Sequence, residues 1–511
     1  MATTELNLDQ IQGNSIGGFN KDFQTNLFLK FMNDTAGRAW IKEICDEVAA
    51  SSSAEVLKFN KQFSVLRAQG VSRPEELISA IWVNLALSFH GLMALKLRED
   101  DLTQFPEAFR EGMAQRKAIL GDTGTSDPSQ WITEFKNPSD IHAVLIVAAD
   151  HSHELQEKVA SVTGTPAFQA GVQIVLSQAG RTRPDLPGHE HFGFKDGVSQ
   201  PGIRGINQPN DPIGNPNQGH PGQDLLWPGE FIIGYATQIA TTKPGVDGPN
   251  PDPGPNSAAN PNWTTDGSYL VFRRLRQNVA AFESHVAELA KKLGWSAELV
   301  GAKLIGRYKS GAPIERRKFQ PRIEAPPSFD PGDPHHGNPA LGNSNELNNN
   351  FEFGNDPQGA FCPLASHIRK TYPRDEFTPA GANSESSTQT RRLLRRGIPY
   401  GSPFDAHDPA SANVDRGLLF FCYQNDIESH FEFVQQRWVN DPTFPPNPSG
   451  APNLPGAPGE DPIIAQSPSG LMLVDSARTP VDVQHFVTVT GGEYFFSPSV
   501  RALRRIGDGS I

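Results

Sequence analysis

The segment that decides the fold runs from Ser268 to Leu293 and reads SYLVFRRLRQNVAAFESHVAELAKKL. Its first part, Ser268 to Arg274, has the length and apolar content of a buried strand. Its second part, Val279 to Leu293, carries apolar residues three and four positions apart, at Phe282, Val286, Leu289 and Leu293. This spacing places them on one face of an α-helix. The sequence therefore predicts a strand that leads directly into an amphipathic helix.

The same design occurs in the first half of the chain. Asn26 to Met32 (NLFLKFM) predicts a strand, and Ala36 to Ala50 predicts a helix with Trp40, Ile44 and Val48 on one face. A second strand-helix unit also occurs twice. It is found at Ile81 to Leu87 followed by FHGLMALKL, and at Gly417 to Gln424 (GLLFFCYQ) followed by a helix whose stripe is Ile427, Phe431, Val434 and Trp438. This repetition suggests duplication.

Further strands are predicted outside these repeats. They are His142 to Ala149, Gly171 to Ser177, and Phe486 to Thr490, the last turning at Gly491-Gly492 into Tyr494 to Phe496. Helices that return the chain to a mainly antiparallel sheet give an α+β fold. We therefore expect two ferredoxin-like domains, each an antiparallel sheet with peripheral helices, packed sheet against sheet as a sandwich.

Long segments rich in Pro, Gly and Asn interrupt these elements. The first, Gln208 to Asp266, contains one apolar stretch, Glu230 to Tyr235; two others run from Pro326 to Gly359 and from Pro442 to Pro462. Such segments cannot supply a full set of backbone hydrogen bonds to a helix or sheet, so they predict long surface loops. We expect an N-terminal domain at 1–235, a linker at 236–266, and a C-terminal domain at 267–511 that holds the functional site.

The net charge and the length of the apolar stretches argue against two classes of partner. The 511 residues carry a net charge of −12, and no run of five or more Lys or Arg interrupts it. An acidic surface repels phosphate backbones, so we expect no nucleic-acid partner. No stretch reaches the roughly 18 apolar residues needed to span a bilayer. We therefore expect no membrane partner either.

The start of the chain and its cysteines bear on localisation. The first residues, MATTELNLDQ, lack the basic and apolar regions of a signal peptide. The cysteines, Cys45, Cys362 and Cys422, are too few and too scattered for a disulfide framework. Both observations favour a reducing compartment, but a secreted protein whose leader has been removed would look the same. The localisation is left open.

His367 is a candidate ligand for a metal cofactor. It lies in CPLASHIRKTYPRDE, directly after the 326–359 loop. A neutral imidazole is a good axial ligand for haem iron, and the guanidinium groups of Arg369 and Arg374 could neutralise the two haem propionates. A single axial ligand has no spacing signature, so an ordinary surface or core histidine remains the alternative.

Two further segments carry charged groups suited to proton transfer and charge stabilisation. Asp196 lies in HFGFKDGVSQPGIRG, where flanking glycines allow close approach of the backbone to a flat ligand. Arg395 lies in RRLLRRGIPYG and offers a fixed cation for the hydroxide that leaves when an O–O bond breaks. An Asp-Gly turn and a solvated basic segment are the alternatives.

Five segments carry a resemblance to a known family. They are FGFKDGVSQPGI, ASHIRKTYPRD, LLRRGIPYG, GLLFFCYQ and VTGGEYFFSPS. The first resembles the GxxDG motif of dye-decolorising peroxidases, and the others follow in the family's order. The resemblance begins at NLDQIQGNSIGGFNKDFQ near the start, covers most of the chain, and is closest to the large fungal-type branch, whose long loops this chain shares.

The resemblance implies a peroxidase with one b-type haem per chain. Such an enzyme reduces hydrogen peroxide to water and oxidises dyes, phenols and other aromatic donors by one-electron steps through Compound I. We expect it to be a monomer or a weak homo-oligomer. A haem carrier or sensor without turnover is the first alternative, and it would need His367 but neither Asp196 nor Arg395. A ligand-binding α+β protein without haem is the second.

The resemblance also implies roles for individual residues. Asp196 matches the distal acid, Arg395 the distal arginine, and His367 the proximal ligand of the iron. Leu418 and Phe420 match the apolar residues of the distal pocket, with Leu419 and Phe421 possible because the register is uncertain by one residue. Asp461, with Glu460 next to it, is the candidate acceptor for the second ring nitrogen of His367.

A pocket closed by Leu and Phe would exclude bulky donors. Oxidation at a surface aromatic residue is therefore a second hypothesis, with Tyr400 and Trp438 as candidates. Trp438 also falls on the apolar stripe with Phe431 and Val434, so a core position is its alternative.

Overall fold

The structure is a computed structural model, and its described residues fall into several ranges. They are 5–46, 50–243, 246, 248–315, 339–375, 388–446, 457–466 and 470–511. Val48 of the predicted helix lies outside them, as do parts of the predicted loops 326–359 and 442–462.

Among the described residues, most strands belong to one large sheet, and the others form three separate two-stranded sheets. In chain order they are β1 (Phe23–Phe31), β2 (Ile81–Leu87), β3 (Ala143–Ala149), β4 (Val172–Arg181), β5 (Gly202–Ile203), β6 (Leu225–Leu226), β7 (Ala236–Gln238), β8 (Pro253–Asn256), β9 (Ser268–Gln277), β10 (Leu394–Arg395), β11 (Ile398–Tyr400), β12 (Gly417–Gln424), β13 (Gly470–Leu473), β14 (Pro480–Val483) and β15 (Val487–Ser497).

The α-helices surround these strands. They are α1 (Gly13–Ile16), α2 (Asp34–Asp46), α3 (Ser53–Ala68), α4 (Phe89–Ala94), α5 (Glu99–Leu102), α6 (Glu107–Glu111), α7 (Lys117–Leu120), α8 (Ser152–Thr163), α9 (Pro166–Gly171), α10 (Val279–Leu293), α11 (Ala297–Ile305), α12 (Pro339–Asn343), α13 (His367–Thr371) and α14 (Val500–Gly507). The apolar stripe that the sequence predicts on a helix after β12 lies on two π-helical segments, Ile427–Glu432 and Val434–Val439.

The large sheet contains both halves of the chain. Its order is β10-β12-β9-β15-β2-β3-β1-β4, with β11 also paired to β12. The pairs within it are antiparallel. In each half the first strand lies between the third and the fourth, which is the order of a ferredoxin-like unit. A single pair, Phe496 with Leu87, joins the two units. The predicted α+β class with two ferredoxin-like units is confirmed.

The two units pack face to face through aromatic rings. The ring of Phe28 on β1 lies 4.8 Å from the ring of Phe272 on β9. Phe272 lies 4.8 Å in turn from Phe421 on β12. A Cβ atom at Gly180 of β4 would come within 2.6 Å of Ile398 on β11, so these two strands also approach closely. The predicted sandwich packing is therefore correct.

The predicted turn at Gly491-Gly492 is wrong. β15 runs through both glycines, and its register on β9 shifts between Val489 and Gly492, as in a β-bulge. A Cβ atom at Gly491 would lie 2.6 Å from the ring of Phe135, and one at Gly492 would lie 2.3 Å from Met113 Sδ. The glycines therefore allow side chains to pack directly on the strand.

The predicted linker region is partly ordered structure. β7 and β8 form a hairpin within it, and the apolar stretch that precedes β7 is buried in the main core through Phe231, Ile232 and Ile233. The domain boundaries at 235 and 266 stay a prediction. Within the described ranges, every helix is too short or too polar to cross a membrane.

Candidate functional site

A large cavity lies against β9, β12, α13 and the π-helical segments. It encloses about 1680 Å³, including its open mouth. Concave, mostly apolar cavities with a few convergent polar groups are the usual form of ligand and cofactor sites. Much of its wall is apolar, with side chains from Ile305, Leu418, Phe420, Phe431, Val434, Ile463 and Ile464.

His367 lines this cavity as the first residue of α13. Its Nδ1 lies 2.8 Å from Asp461 Oδ2. The other oxygen of Asp461 accepts hydrogen bonds from the backbone N–H groups of Ile463 and Ile464, at 2.8 and 2.9 Å. A carboxylate held in this way accepts a hydrogen bond from Nδ1–H, which leaves Nε2 with its lone pair. None of the described residues hydrogen-bonds Nε2.

Opposing effects act on the pKa of His367. Burial lowers the pKa of the imidazole, while the charge and the hydrogen bond of Asp461 raise it, and the net shift is upward. Asp461 is only 3% exposed. Of the two candidate acids, Asp461 is therefore the one that contacts His367.

Asp196 and Arg395 meet at the same cavity. Arg395 Nη1 donates to Asp196 Oδ1 at 3.1 Å, and Nη2 donates to the carbonyl oxygen of Ser199 at 3.0 Å. Asp196 Oδ1 also accepts from the N–H of Gly197 at 2.6 Å. Gly197 has a φ of +74°, a conformation that glycine adopts without strain. Among the described residues, Asp196 Oδ2 has no hydrogen-bond donor.

Arg395 is held in place from both sides of its backbone. It lies on β10, where it pairs with Cys422 of β12. The side-chain amide of Gln200 accepts from its N–H at 3.2 Å and donates to its carbonyl oxygen at 2.9 Å. Gln200 belongs to the segment that carries Asp196. The amide therefore ties the acid's loop to the arginine's strand.

The alternation of β12 fixes which of its apolar residues face the cavity. Leu418 and Phe420 line the cavity wall. Leu419 and Phe421 point to the opposite face and are buried in the main core. Successive side chains of a strand point to opposite faces. Leu418 and Phe420 are therefore the pair that lines the cavity, and this removes the uncertainty of one residue in the register.

The two arginines after His367 have different environments. Arg374 lines the cavity, donating to Asn349 Oδ1 at 2.8 Å and to the carbonyl oxygen of Gly222 at 3.0 Å. Arg369 is 0% exposed, does not line the cavity, and donates to the carbonyl oxygens of Cys362 and Asp356 at 2.6 and 2.9 Å. The expectation for Arg369 was therefore wrong: its side chain stabilises a neighbouring loop.

Sequence reasoning missed Arg307. It lines the cavity and donates to Asn349 Oδ1 at 3.1 Å, so it lies beside Arg374. Burial, together with the charges of Arg374 and Arg395, lowers the pKa of Arg307 to about 9. A lone arginine after the helix α11 carries no sequence signal that separates it from a surface residue.

Neither proposed surface aromatic residue lies on the surface. Tyr400 is 3% exposed, and its hydroxyl donates to Asp415 Oδ1 at 3.3 Å. Trp438 is 5% exposed and stacks on Phe444 with a centroid distance of 5.5 Å. Neither residue lines the cavity. The expectation of surface exposure was wrong for both, and the core alternative holds for Trp438.

Comparisons with known proteins match this fold along the chain. Residues 10–184 match the DyP dimeric alpha+beta barrel domain, and residues 255–443 match the C-terminal domain of Dyp-type peroxidases. A dye-decolorizing peroxidase of Exidia glandulosa is 33% identical, over 98% of this chain and 87% of that protein. Dye-decolorizing peroxidase AauDyP1 of Auricularia auricula-judae is 31% identical over the same shares.

Solved structures give the same result. An ancestral D-type dye-decolorizing peroxidase superposes with a TM-score of 0.77 at 34% identity, covering 98% of both chains. A fungal DyP-type peroxidase from Auricularia auricula-judae superposes with a TM-score of 0.75 at 28% identity, covering 99% of this chain and 100% of that one.

The fold and the comparisons define an oxidoreductase of the peroxidase class. The chain belongs to the dye-decolorising (DyP-type) peroxidase family, as the sequence resemblance implied. It is a haem enzyme that depends on hydrogen peroxide and oxidises dyes. A haem carrier or sensor without turnover is not favoured, because the full-length relatives are peroxidases.

Proposed function

We propose that the cavity binds one haem b per chain and that His367 Nε2 would hold its iron. The observation that carries this assignment is the 2.8 Å contact of His367 Nδ1 with Asp461, which leaves Nε2 on a cavity that Asp196 and Arg395 also line. The apolar wall suits a porphyrin ring. When bound, the haem supplies an iron centre that passes electrons from organic donors to hydrogen peroxide.

Arg307 and Arg374 hold the haem propionates. Both donate to the same oxygen of Asn349, so two cations lie side by side on the cavity wall. No carboxylate among the described residues lies within ion-pair distance of either. Two adjacent buried cations repel each other, and this repulsion contributes to the lowered pKa of Arg307. A carboxylate placed between them relieves it, and guanidinium groups bind carboxylates well.

Asp196 moves the proton of the peroxide. Its Oδ2 takes a proton from one peroxide oxygen and returns it to the other, so that water becomes the leaving group. Arg395 donates to Oδ1 and keeps the carboxyl group oriented while Oδ2 acts. The guanidinium of Arg395 also stabilises the negative charge that develops on the departing oxygen.

Leu418 and Phe420 limit what reaches this pair. Their side chains line the cavity close to β10, which carries Arg395. Apolar walls of this kind admit a molecule as small as peroxide and exclude bulky aromatic donors. Dyes, phenols and other large aromatic donors are therefore oxidised outside the distal pocket.

Haem reconstitution tests these assignments. The purified protein is titrated with haemin, the bound haem is identified by its pyridine spectrum, and its amount is compared with the protein concentration. We expect one haem b per chain and a spectral response to one equivalent of peroxide. His367→Ala should lose the axial ligand, and Asp196→Asn should keep the haem but not the response. Unaltered spectra of the His367 variant would refute the ligand assignment.

Light scattering on the same sample tests the expected monomer or weak homo-oligomer.

A further inference from the structure

Tyr372 lies on the cavity wall, directly after the helix that carries His367. It is 8% exposed. Among the described residues that line the cavity, it is the only Tyr or Trp. Apart from the imidazole of His367, the other aromatic side chains of that wall are phenylalanines, including Phe420 and Phe431, and these are far harder to oxidise. Tyr372 is therefore the one readily oxidised side chain that lines the wall among these residues.

The Tyr372 hydroxyl has a proton acceptor in place. It donates to Asp224 Oδ2. The side-chain amide of Gln389 donates to the Tyr372 oxygen and to Asp224 Oδ2, both at 3.0 Å. Asp224 and Gln389 are buried. The hydrogen bond between the phenol and the carboxylate is therefore shielded from solvent.

Two cations lie over the Tyr372 ring. The guanidinium carbons of Arg392 and Arg374 are 3.4 and 4.5 Å from its centroid. Positive charge at this distance opposes the formation of a positively charged ring. Electron loss from Tyr372 therefore requires simultaneous loss of the phenolic proton, and Asp224 is placed to take it.

The geometry points to Tyr372 as a proton-coupled electron relay between the haem cavity and the protein surface. With haem bound, Tyr372 would give one electron to the cofactor after its reaction with hydrogen peroxide, and the phenolic proton would move to Asp224 Oδ2. The neutral tyrosyl radical then takes one electron from an outside donor, and Asp224 returns the proton, which restores the O–H bond. The donor is oxidised by one electron.

The surface beyond Asp224 fits this role. Asp224 forms a β-bridge with Gln218, and the carbonyl oxygen of Gln218 accepts the N–H of Asn210 at 3.1 Å, so the buried acid connects to the first part of the predicted surface loop. Residues 210–214 of that loop are exposed. The relay therefore opens a route for aromatic donors that are too large for the pocket bounded by Leu418 and Phe420.

Radical trapping tests the relay. The haem-loaded protein is mixed with peroxide and frozen for electron paramagnetic resonance, with and without ring-deuterated tyrosine. A parallel sample is treated with a nitroso spin trap and mapped by mass spectrometry. We expect a tyrosyl signal and a trap adduct on Tyr372. Both should be lost in Tyr372→Phe, and Asp224→Asn, which keeps the phenol, should lower the signal.

Tyr235 gives a matched control. It is a buried phenol that donates to a carboxylate, Asp266 Oδ1, at 2.5 Å, but it does not line the cavity. Tyr235→Phe should leave the signal unchanged. An undiminished tyrosyl signal in Tyr372→Phe, or an adduct on another residue only, would overturn the relay. The relay rests on the proposed haem site: a protein without a Soret band would overturn both, whereas haem that reacts with peroxide without a radical on Tyr372 overturns the relay alone.

Discussion

Arg395 Nη1 and Asp196 Oδ1 lie 3.1 Å apart across 199 positions of sequence. The contact joins a loop from the first half of the chain to a strand from the second. It occupies one carboxylate oxygen and leaves Oδ2 without a donor among the described residues. The pair thus separates two tasks, because Oδ1 holds the orientation while Oδ2 is available for proton transfer.

Asp196→Asn should slow the reaction with peroxide by a factor of about 10²–10⁴, the usual contribution of a positioned general acid-base group. The amide keeps the shape and the bond from Arg395 but cannot take the proton. The measurement is the rate of the haem spectral change in stopped flow. Asp185→Asn, at an acid near the surface, serves as the control. Equal rates for Asp196→Asn and the parent protein would remove Asp196 from the reaction.

Asp461→Asn should weaken haem binding about 10- to 100-fold, the usual effect of losing the partner of a metal-bound histidine. It should also raise the reduction potential of the iron, because the imidazole becomes a weaker electron donor. Haem titration and potentiometry measure the two effects. Glu460→Gln changes the adjacent acid, which does not bond His367 in the structure. The same potential in both variants would argue against Asp461 as the acceptor.

Glu493 should make the protein more stable in acid. It is 2% exposed and accepts the N–H groups of Met113 and Tyr494, at 3.1 and 2.7 Å. Burial raises its pKa from 4.5 to about 7. The folded state therefore holds the proton more tightly, and the stability present below pH 4.5 is lost as the pH rises through 7.

Glu493→Gln is neutral at every pH and should not lose this stability. The unfolding free energy of the variant relative to the parent should rise by about 3 kcal/mol between acid and neutral pH. Urea unfolding across this range measures the difference. Glu107→Gln, at an exposed position, should leave the pH dependence of the parent unchanged. Parallel curves for Glu493→Gln and the parent would show that Glu493 titrates normally.

Sequence patterns predicted the framework because periodicity reports which face of an element is buried. The strand Ile81–Leu87 and the helix Val279–Leu293 have the bounds that the sequence predicted. The prediction at Gly491-Gly492 was wrong because the same pair of glycines is typical of a turn and of a β-bulge. Only the packing of Phe135 and Met113 on that strand separates the two cases.

The candidate site was only partly predictable, for a related reason. His367, Asp196 and Arg395 came from motifs, and the structure brings them to one cavity. Arg369 and Arg374 are five positions apart, yet one points into a loop and the other into the cavity. Side-chain direction after a short helix such as α13 depends on tertiary contacts, and Arg307 reaches the same wall from a distant element. Local sequence carries no record of such contacts.

Arg374→Gln and Arg369→Gln should therefore have different effects. Arg374→Gln removes a cation from the cavity wall and should weaken haem binding, with a smaller effect on the stability of the haem-free protein. Arg369→Gln leaves buried carbonyl oxygens without donors, at about 1–3 kcal/mol each, and should lower the melting temperature. Haem titration and thermal unfolding of both variants separate the roles. If only Arg369→Gln weakened haem binding, the roles proposed for the two arginines would be wrong.

Leu418 and Leu419 are neighbours on β12 that face opposite sides of the sheet, so truncating each should affect a different property. Leu419→Ala removes a side chain that is 0% exposed in the main core, and such a change costs about 2–5 kcal/mol of stability. Leu418→Ala enlarges the cavity instead. It should cost less stability, because its side chain is only partly buried, and it should admit larger molecules beside Arg395. The measurements are urea unfolding and the binding of imidazole derivatives of increasing size, followed by the haem spectrum. A stability loss in Leu418→Ala equal to that in Leu419→Ala, with no gain in the size of ligand admitted, would mean that Leu418 belongs to the core and does not bound the pocket.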